Sequence, residues 1–278
     1  MDKPLFLPVS KADMAGRGWT ELDFLCITGD AYVDHPSFGM AIISRLLEKM
    51  GFRVGIIAQP DWRSARDFNR LGKPRLGVMI TAGNLDSLLA HYTAAKHPRH
   101  KDAYAPGGKP GKRPDRATMV YTHRVREAFG KIPVIIGGIE ASLRRFAHYD
   151  FWEDRVRRSM LIDARADMLV YGMGEKPIGE IARRLAAGET AGSITDVPGT
   201  VVKSADLQFW QDYLVLPAYD DVAADKRKFA AAFKIQYEEQ DPLRGKRLVQ
   251  AHGAEYIIQN PPAPPLTTAE MDEVYDLP

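Results

Sequence analysis

The segment Gly29–Ile43, GDAYVDHPSFGMAII, places polar side chains between an apolar run and an amphipathic run. Carboxylate, imidazole and hydroxyl groups at this spacing could bind a ligand or transfer a proton. A ligand would also be favoured by the free N–H groups of a following helix. Alternatively, Asp34 or Ser37 only caps that helix, with Pro36 in its first turn. The candidate residues of the segment are Gly29, Asp30, Asp34, His35 and Ser37.

Three later segments also end an apolar run with glycine or small polar residues: TAGN (81–84), GGIE (137–140) and GMGE (172–175). A glycine pair could let a phosphate or a flat ring approach the backbone, or it could form a tight turn that packing requires. Gly172 and Gly174 lack the third glycine of a dinucleotide-binding fingerprint. These segments add to the candidate set Gly83, Asn84, Gly137, Gly138, Glu140, Gly172, Gly174 and Glu175. One hypothesis is an enzyme that acts through Asp34, His35 and Glu140.

Two segments are rich in basic residues. Residues 96–116 contain seven Lys and Arg against two Asp, and residues 140–159 mix arginines with His148, Tyr149, Phe151 and Trp152. Both could bind RNA or another polyanion, through charge and through stacking. We expect instead a flexible, solvated loop for 96–116 and a solvated helix with inward aromatics for 140–159. An RNA- or polyanion-binding module is the alternative function, and no metal site is predicted.

The elements that would position these residues alternate between short apolar strands and amphipathic helices. The predicted strands cover 23–29, 53–59, 76–83, 133–138 and 166–172, and the helices 38–51, 85–95, 117–132 and 175–188. Continuously apolar strands separated by helices indicate a parallel sheet covered on both faces. The predicted class is therefore α/β, a doubly wound, mainly parallel sheet of Rossmann-like or flavodoxin-like type. In such sheets ligands bind outside the carboxyl ends of the strands, and all candidate residues follow those ends.

The alternation stops near residue 190, which divides the prediction into two parts. Residues 1–190 form the Rossmann-like domain, and residues 191–278 form an irregular α+β extension and linker. Strands are expected near 200 and 213, a helix over 221–241 and an extended proline-rich spacer at 261–265. The spacing from Thr267 to Glu270 predicts a capping box for a last helix.

Composition limits the class of protein. Across 278 residues, 38 basic and 36 acidic side chains leave a net charge of +2, which argues against a polyanion-coating protein as a whole. Cys26 is the single cysteine, so the chain has no disulfide framework and no cysteine-based zinc or iron–sulfur site. No signal peptide and no apolar run of about 18 residues is evident. We expect a cytoplasmic protein with no membrane partner.

Several strings together resemble the YgiQ-type radical SAM proteins, from about Pro8 to Pro278. They are TGDAYVDHPSFGMAI, GFRVGIIAQPDW, LGKPRLGVMITAGNLDS, GKRPDRATMVYTHR, VIIGGIEASLRRFAHYDFW and ADMLVYGMGEKP. The resemblance implies a cobalamin-binding-like N-terminal domain followed by a radical SAM barrel. The barrel's Cys-x-x-x-Cys-x-x-Cys loop would hold a [4Fe–4S] cluster and S-adenosylmethionine.

That cysteine loop is absent here, so we expect the N-terminal portion of a longer enzyme. Its partner would be the barrel of the same full-length chain, whose active site it would shape or cover, and it would not be catalytic alone. The histidine motif of cobalamin domains, Asp-x-His-x-x-Gly, is matched only approximately by Asp34, His35 and Gly39, because both spacings are off by one. Cobalamin, or another small molecule at the strand ends, is kept as a hypothesis.

Overall fold

The computed structural model describes residues 6–278, and their main feature is a nine-stranded sheet accompanied by a separate two-stranded hairpin. The strands are β1 (Phe24–Thr28), β2 (Val54–Ala58), β3 (Gly77–Thr81), β4 (Val134–Gly137), β5 (His148–Asp150), β6 (Arg155–Arg157), β7 (Met168–Val170), β8 (Thr200–Ser204), β9 (Tyr213–Val215), β10 (Arg247–His252) and β11 (Glu255–Gln259). The helices are α1 (Lys11–Gly16), α2 (Gly39–Lys49), α3 (Ser87–His91), α4 (Ala117–Phe129), α5 (Gly138–Leu143), α6 (Met160–Asp163), α7 (Glu175–Ala186), α8 (Tyr219–Ala224), α9 (Lys226–Glu238) and α10 (Thr268–Tyr275).

The sheet order is β2-β1-β3-β4-β7-β8-β11-β10-β9. The first five strands are parallel, and their order is that of a flavodoxin-like sheet, whose topological switch point lies between β1 and β3. The doubly wound, mainly parallel sheet predicted from sequence is thus confirmed. β8 and β11 then pair antiparallel, so strands from residues 191–278 continue the same sheet.

Both faces of the sheet are covered because the strands are apolar on both sides. All five residues of β1 are buried, and they alternate between two cores. Leu25 and Ile27 pack in the core that contains Tyr121 of α4. Phe24 and Cys26 pack in the core that contains residues of α2 and α7. Because β1 to β4 and β7 run parallel, their carboxyl ends and the turns that follow them lie at one edge of this covered sheet.

One local prediction is wrong, and one hairpin was not predicted. Residues 140–159 do not form one helix: α5 ends at Leu143, and a short hairpin, β5 and β6, follows it. Its turn is closed by backbone N–H groups of Trp152 and Glu153, which donate to the Asp150 carboxylate. The hairpin of β10 and β11 was missed, although Gly253, with a φ of 68°, supplies the left-handed residue between its strands. The predicted capping box between Thr267 and Glu270 is confirmed at the start of α10.

None of the helices in residues 6–278 combines the length and the apolar character needed to cross a bilayer.

Candidate functional site

A cavity of about 370 Å³ opens at the edge of the sheet where the parallel strands end. We call it the edge cavity. It is lined by residues 28, 30–33, 38–43, 79–81, 83, 84, 135–139, 170, 172–175 and 178. These belong to the ends of β1, β3, β4 and β7, to the turns that follow them, and to the first turns of α2 and α7. The cavity thus lies at the switch point, where ligands bind in sheets of this type.

The parallel sheet brings most of the candidate residues to this cavity. Those that line it are Asp30, Gly83, Asn84, Gly137, Gly138, Gly172, Gly174 and Glu175. Those that do not are Gly29, Asp34, His35, Ser37 and Glu140. The four turns converge as the strand order requires. Within a turn, however, some residues line the cavity and others pack beneath it.

Three of the glycines are required by packing between the turns. A Cβ on Gly83 would lie 2.1 Å from Oδ1 of Asp30, and a Cβ on Gly138 would lie 2.3 Å from Oγ1 of Thr81. Both residues also have positive φ angles, 108° and 81°. A Cβ on Gly29 would lie 2.2 Å from the carbonyl oxygen of Ala82. The turns approach one another too closely for side chains at these positions.

Beneath the cavity, the basic segment 96–116 inserts Arg113, which is only 1% exposed. Its Nη2 lies 3.0 Å from Oδ1 of Asp30 and 3.0 Å from Oδ2 of Asp102, and its Nη1 donates to the carbonyl of Ala82 at 2.9 Å. The carbonyl of Tyr104 also accepts from the N–H of Ala31. The expectation of a flexible, solvated loop is therefore wrong at these positions, because Arg113 fastens the segment to the turn after β1.

The pKa of Asp30 is raised, first because burial disfavours its ionised form and further because Asp102 is close. The N–H of Asn84 and the Arg113 guanidinium act in the opposite direction. Two buried carboxylates share one guanidinium, so Arg113 can neutralise only one of them.

Asp34 and His35 stabilise the loop between β1 and α2. Asp34 forms an ion pair with Arg45 of α2, which also contacts Glu48 at 2.6 Å. His35 is exposed, and its Nδ1 accepts a hydrogen bond from the N–H of Ser37 at 3.1 Å. These contacts hold the loop against α2.

Glu140 is buried and joins three elements. Its Oε2 accepts from the N–H of Ser87 at 2.8 Å, and its Oε1 accepts from the N–H of Thr118 at 3.0 Å. The carboxylate therefore binds the first turns of α3 and α4 to α5. The structure does not bring Asp34, His35 and Glu140 together in the edge cavity.

Carboxylates neutralise most of the arginines between residues 140 and 159. Arg144 pairs with Asp86, Arg155 with Glu153, and Arg158 with Asp163. Arg157 contacts both Glu153 and Asp163. Arg145 lies over the ring of Tyr171 and donates to Gln259, while burial lowers the pKa of His148 to about 4. Little unpaired positive charge is thus left here for a polyanion.

The apolar walls of the cavity were not predicted as functional. Val33, Ile139 and Met173 line it and are exposed, with Met173 59% exposed. Their sequence signal was weak, because each is a single apolar residue in a turn or a first helical turn. Arg113 was likewise indistinguishable from the other basic residues of its segment.

The residues present do not fit an iron–sulfur cluster. Such clusters need several cysteine thiolates, and Cys26 is buried within β1, where burial raises its pKa to about 11. Nor do they fit the histidine-ligated form of cobalamin, because no histidine lines the edge cavity and His35 lies outside it. Across residues 6–278, His, Cys, Asp and Glu side chains form no group of three or more that could hold a metal ion.

Comparisons with known proteins give a consistent family match. The family model described as "Radical SAM N-terminal" matches residues 6–278. A UPF0313 protein of Clostridium botulinum (strain ATCC 19397 / Type A) is 56% identical over 273 residues, which is 98% of this chain and 42% of that protein. A UPF0313 protein of Clostridium perfringens (strain SM101 / Type A) is 53% identical over 280 residues, with coverage of 100% and 42%. The chain thus spans about two-fifths of the length of these relatives.

Among solved structures, the chain is similar to the radical S-adenosylmethionine methyltransferase TsrM from Kitasatospora setae with cobalamin and a [4Fe–4S] cluster bound. The identity is 19%, the TM-score is 0.44, and the match covers 66% of this chain and 27% of TsrM. The structure of TsrM with its tryptophan substrate and a SAM analogue gives 19% identity and a TM-score of 0.43, covering 64% and 28%. This similarity is too low to carry a comparison of sites.

Proposed function

Because this chain belongs to the radical SAM N-terminal family, we propose that it is the accessory domain of a longer radical SAM enzyme, with its edge cavity facing the catalytic domain. In this proposal the domain is not catalytic alone. It closes one side of the chamber in which the catalytic domain works, and it holds part of a small-molecule ligand in the edge cavity.

The division of labour is supported by the cysteine content and by the length of the relatives. A single buried thiol cannot hold a cluster, so the cluster and S-adenosylmethionine would be bound by the remainder of the full-length protein. The matched relatives are more than twice as long as this chain, which leaves room for such a domain.

The proposed orientation is supported by the exposed apolar residues at the border of the cavity. Val33, Ile139 and Met173 are exposed at the same edge of the sheet and all line the cavity. Exposed apolar residues grouped around a cavity are typical of a surface that another domain or ligand covers. Covering this edge would remove water from the cavity, which strengthens polar contacts inside it and protects reactive intermediates.

Photo-cross-linking in the full-length protein that contains this chain tests the orientation. Met173→p-benzoylphenylalanine places the probe at the cavity border, where we expect cross-links to residues that follow residue 278. The matched control is Phe233→p-benzoylphenylalanine on α9, because Phe233 is 61% exposed and does not line the cavity. Cross-links from position 233 alone, or from neither position, would overturn the proposed orientation.

A further inference from the structure

The charges around the edge cavity point to the class of its ligand. We propose that the cavity binds a mainly apolar molecule through an ammonium group, which the carboxylates of Asp30 and Glu175 recognise. This inference rests on the proposed function, because it names the kind of molecule that the domain would hold beside the catalytic domain.

The charged side chains that line the cavity are acidic. Asp30 and Glu175 line it, whereas Lys, Arg and His are absent from its lining within the described residues. The nearby Lys176 is already paired with Glu270, at 2.9 Å. A bound anion would therefore meet two carboxylates and no unpaired basic side chain.

Asp30 is a buried acceptor with remaining capacity. The residue is 2% exposed, and its Oδ2 accepts from the N–H of Asn84 at 2.7 Å. Its Oδ1 lies 3.0 Å from Nη2 of Arg113 in the ion pair, but the N–H groups of that guanidinium do not align on it as a hydrogen bond. Arg113 is shared with Asp102 and so cannot neutralise both carboxylates.

Glu175 supplies the second acceptor. It is the first residue of α7, and its Oε2 is inaccessible to solvent and without a hydrogen-bond partner in the described part of the chain. An unsatisfied buried carboxylate oxygen is costly, and a cationic donor removes that cost.

The helix ends at the cavity do not reverse the sign of its charge. α2, α5 and α7 begin here, and each N-terminus contributes about half a positive charge. With Asp30, Asp102 and Glu175 ionised, their three carboxylates and the single guanidinium of Arg113 carry a net charge of −2. These side chains therefore outweigh about 1.5 positive charges from the three helices, and a cation is favoured.

The apolar walls of the cavity favour a ligand whose remaining part is apolar. Ile43, Ile136, Val170 and Met173 line the cavity with apolar surface. A volume of about 370 Å³ lies within the range of small-molecule pockets, which place a few polar groups among apolar walls. The ligand is thus an apolar body with one cationic end.

Three probes of matched size and shape test this class: 4-phenylbutylamine, 4-phenylbutanol and 4-phenylbutyrate. Isothermal titration calorimetry on the full-length protein at pH 7.5 should give a dissociation constant for the amine at least about tenfold below those of the alcohol and the carboxylate, as expected for a charge-assisted bond in a partly buried site. Glu175→Gln should remove most of this preference. Glu180→Gln, on the same helix but outside the cavity lining, should retain it.

Equal binding of the three probes, tighter binding of the carboxylate, no binding of the amine, or an unchanged preference in Glu175→Gln would each overturn the ligand class. The orientation of the domain is measured separately by cross-linking from position 173. Cross-linking without amine binding would refute this inference and leave the accessory-domain proposal standing. Amine binding without cross-linking would support the ligand class of the cavity and refute the orientation of the domain.

Discussion

The buried guanidinium of Arg113 should be among the most sensitive positions of the chain. Arg113→Met keeps an unbranched side chain of similar length but leaves Asp30, Asp102 and the carbonyl of Ala82 without their common partner. Removing one partner of a buried ion pair costs about 3–5 kcal/mol. Since domains of this kind are stable by about 5–15 kcal/mol, the loss takes a large share of the free energy of unfolding.

Urea unfolding of the 278-residue chain, followed by the fluorescence of its four tryptophans, measures this loss. Arg63→Met is the matched control, because Arg63 pairs with Asp61 on the surface, where their side chains are 71% and 59% exposed. An exposed pair contributes at most about 1 kcal/mol. Adding Asp102→Asn to Arg113→Met removes one stranded carboxylate and should recover part of the stability.

The loss should also depend on pH. Burial raises the pKa of Asp30 in the folded chain, so its folded form binds protons more readily than its unfolded form. The stability that this group contributes is present below its unfolded pKa and is lost as the pH rises through its folded pKa. Arg113→Met enlarges this effect, and its deficit should be greater at pH 8 than at pH 5. A loss no larger than that of Arg63→Met, or one independent of pH, would refute the description of the buried cluster.

Two further predictions concern the turns and the tail. Gly138→Ala should destabilise the chain by about 1–2 kcal/mol because of its positive φ alone. The loss should be larger still, because the added Cβ would collide with Thr81. Gly16→Ala is the control in the same urea assay and should be neutral or slightly stabilising, because Gly16 has open space around it. The hydrogen bond and charge of Lys176, together with the bonds to Thr267, lower the pKa of Glu270 to about 2 from an ordinary value of 4.5. Carboxyl-detected NMR should follow that titration, and the stability it contributes above pH 4.5 should disappear as the pH falls through about 2. Lys176→Met should raise this pKa, and an unchanged value would mean that the Lys176 contact is absent in solution.

The sequence predicted the parallel part of the fold because its strands are short, continuously apolar and separated by amphipathic helices. The predicted and observed bounds of β1 to β4 differ by one or two residues at each end. Convergence of the four turns followed from topology alone, since parallel strands end at one edge. Which residues of each turn line the cavity could not be predicted, because the direction of a side chain depends on packing that the sequence pattern does not contain.

The errors at the charged residues share a physical cause. Asp34, Glu140 and Arg113 are charged residues whose partners lie far away in the chain or on another element, as the contact between Arg113 and Asp30 illustrates. Local spacing cannot distinguish a carboxylate that accepts buried backbone N–H groups from one that faces a ligand. The β10–β11 hairpin was missed for a different reason, because its turn, Gly253-Ala254, lacks the Asn-Gly or Asp-Gly pair that most strongly predicts a hairpin.

The direction of β11 brings residues 265–270 into contact with α7. β7, β8 and β11 alternate in direction, so β11 runs parallel to β7 and delivers residues 260–278 to the border of the cavity. There Lys176 donates a hydrogen bond to the carbonyl of Pro265 and forms an ion pair with the carboxylate of Glu270. Because Lys176 adjoins Glu175, a displacement of residues 265–270 would act on a residue that is one peptide bond from the cavity lining.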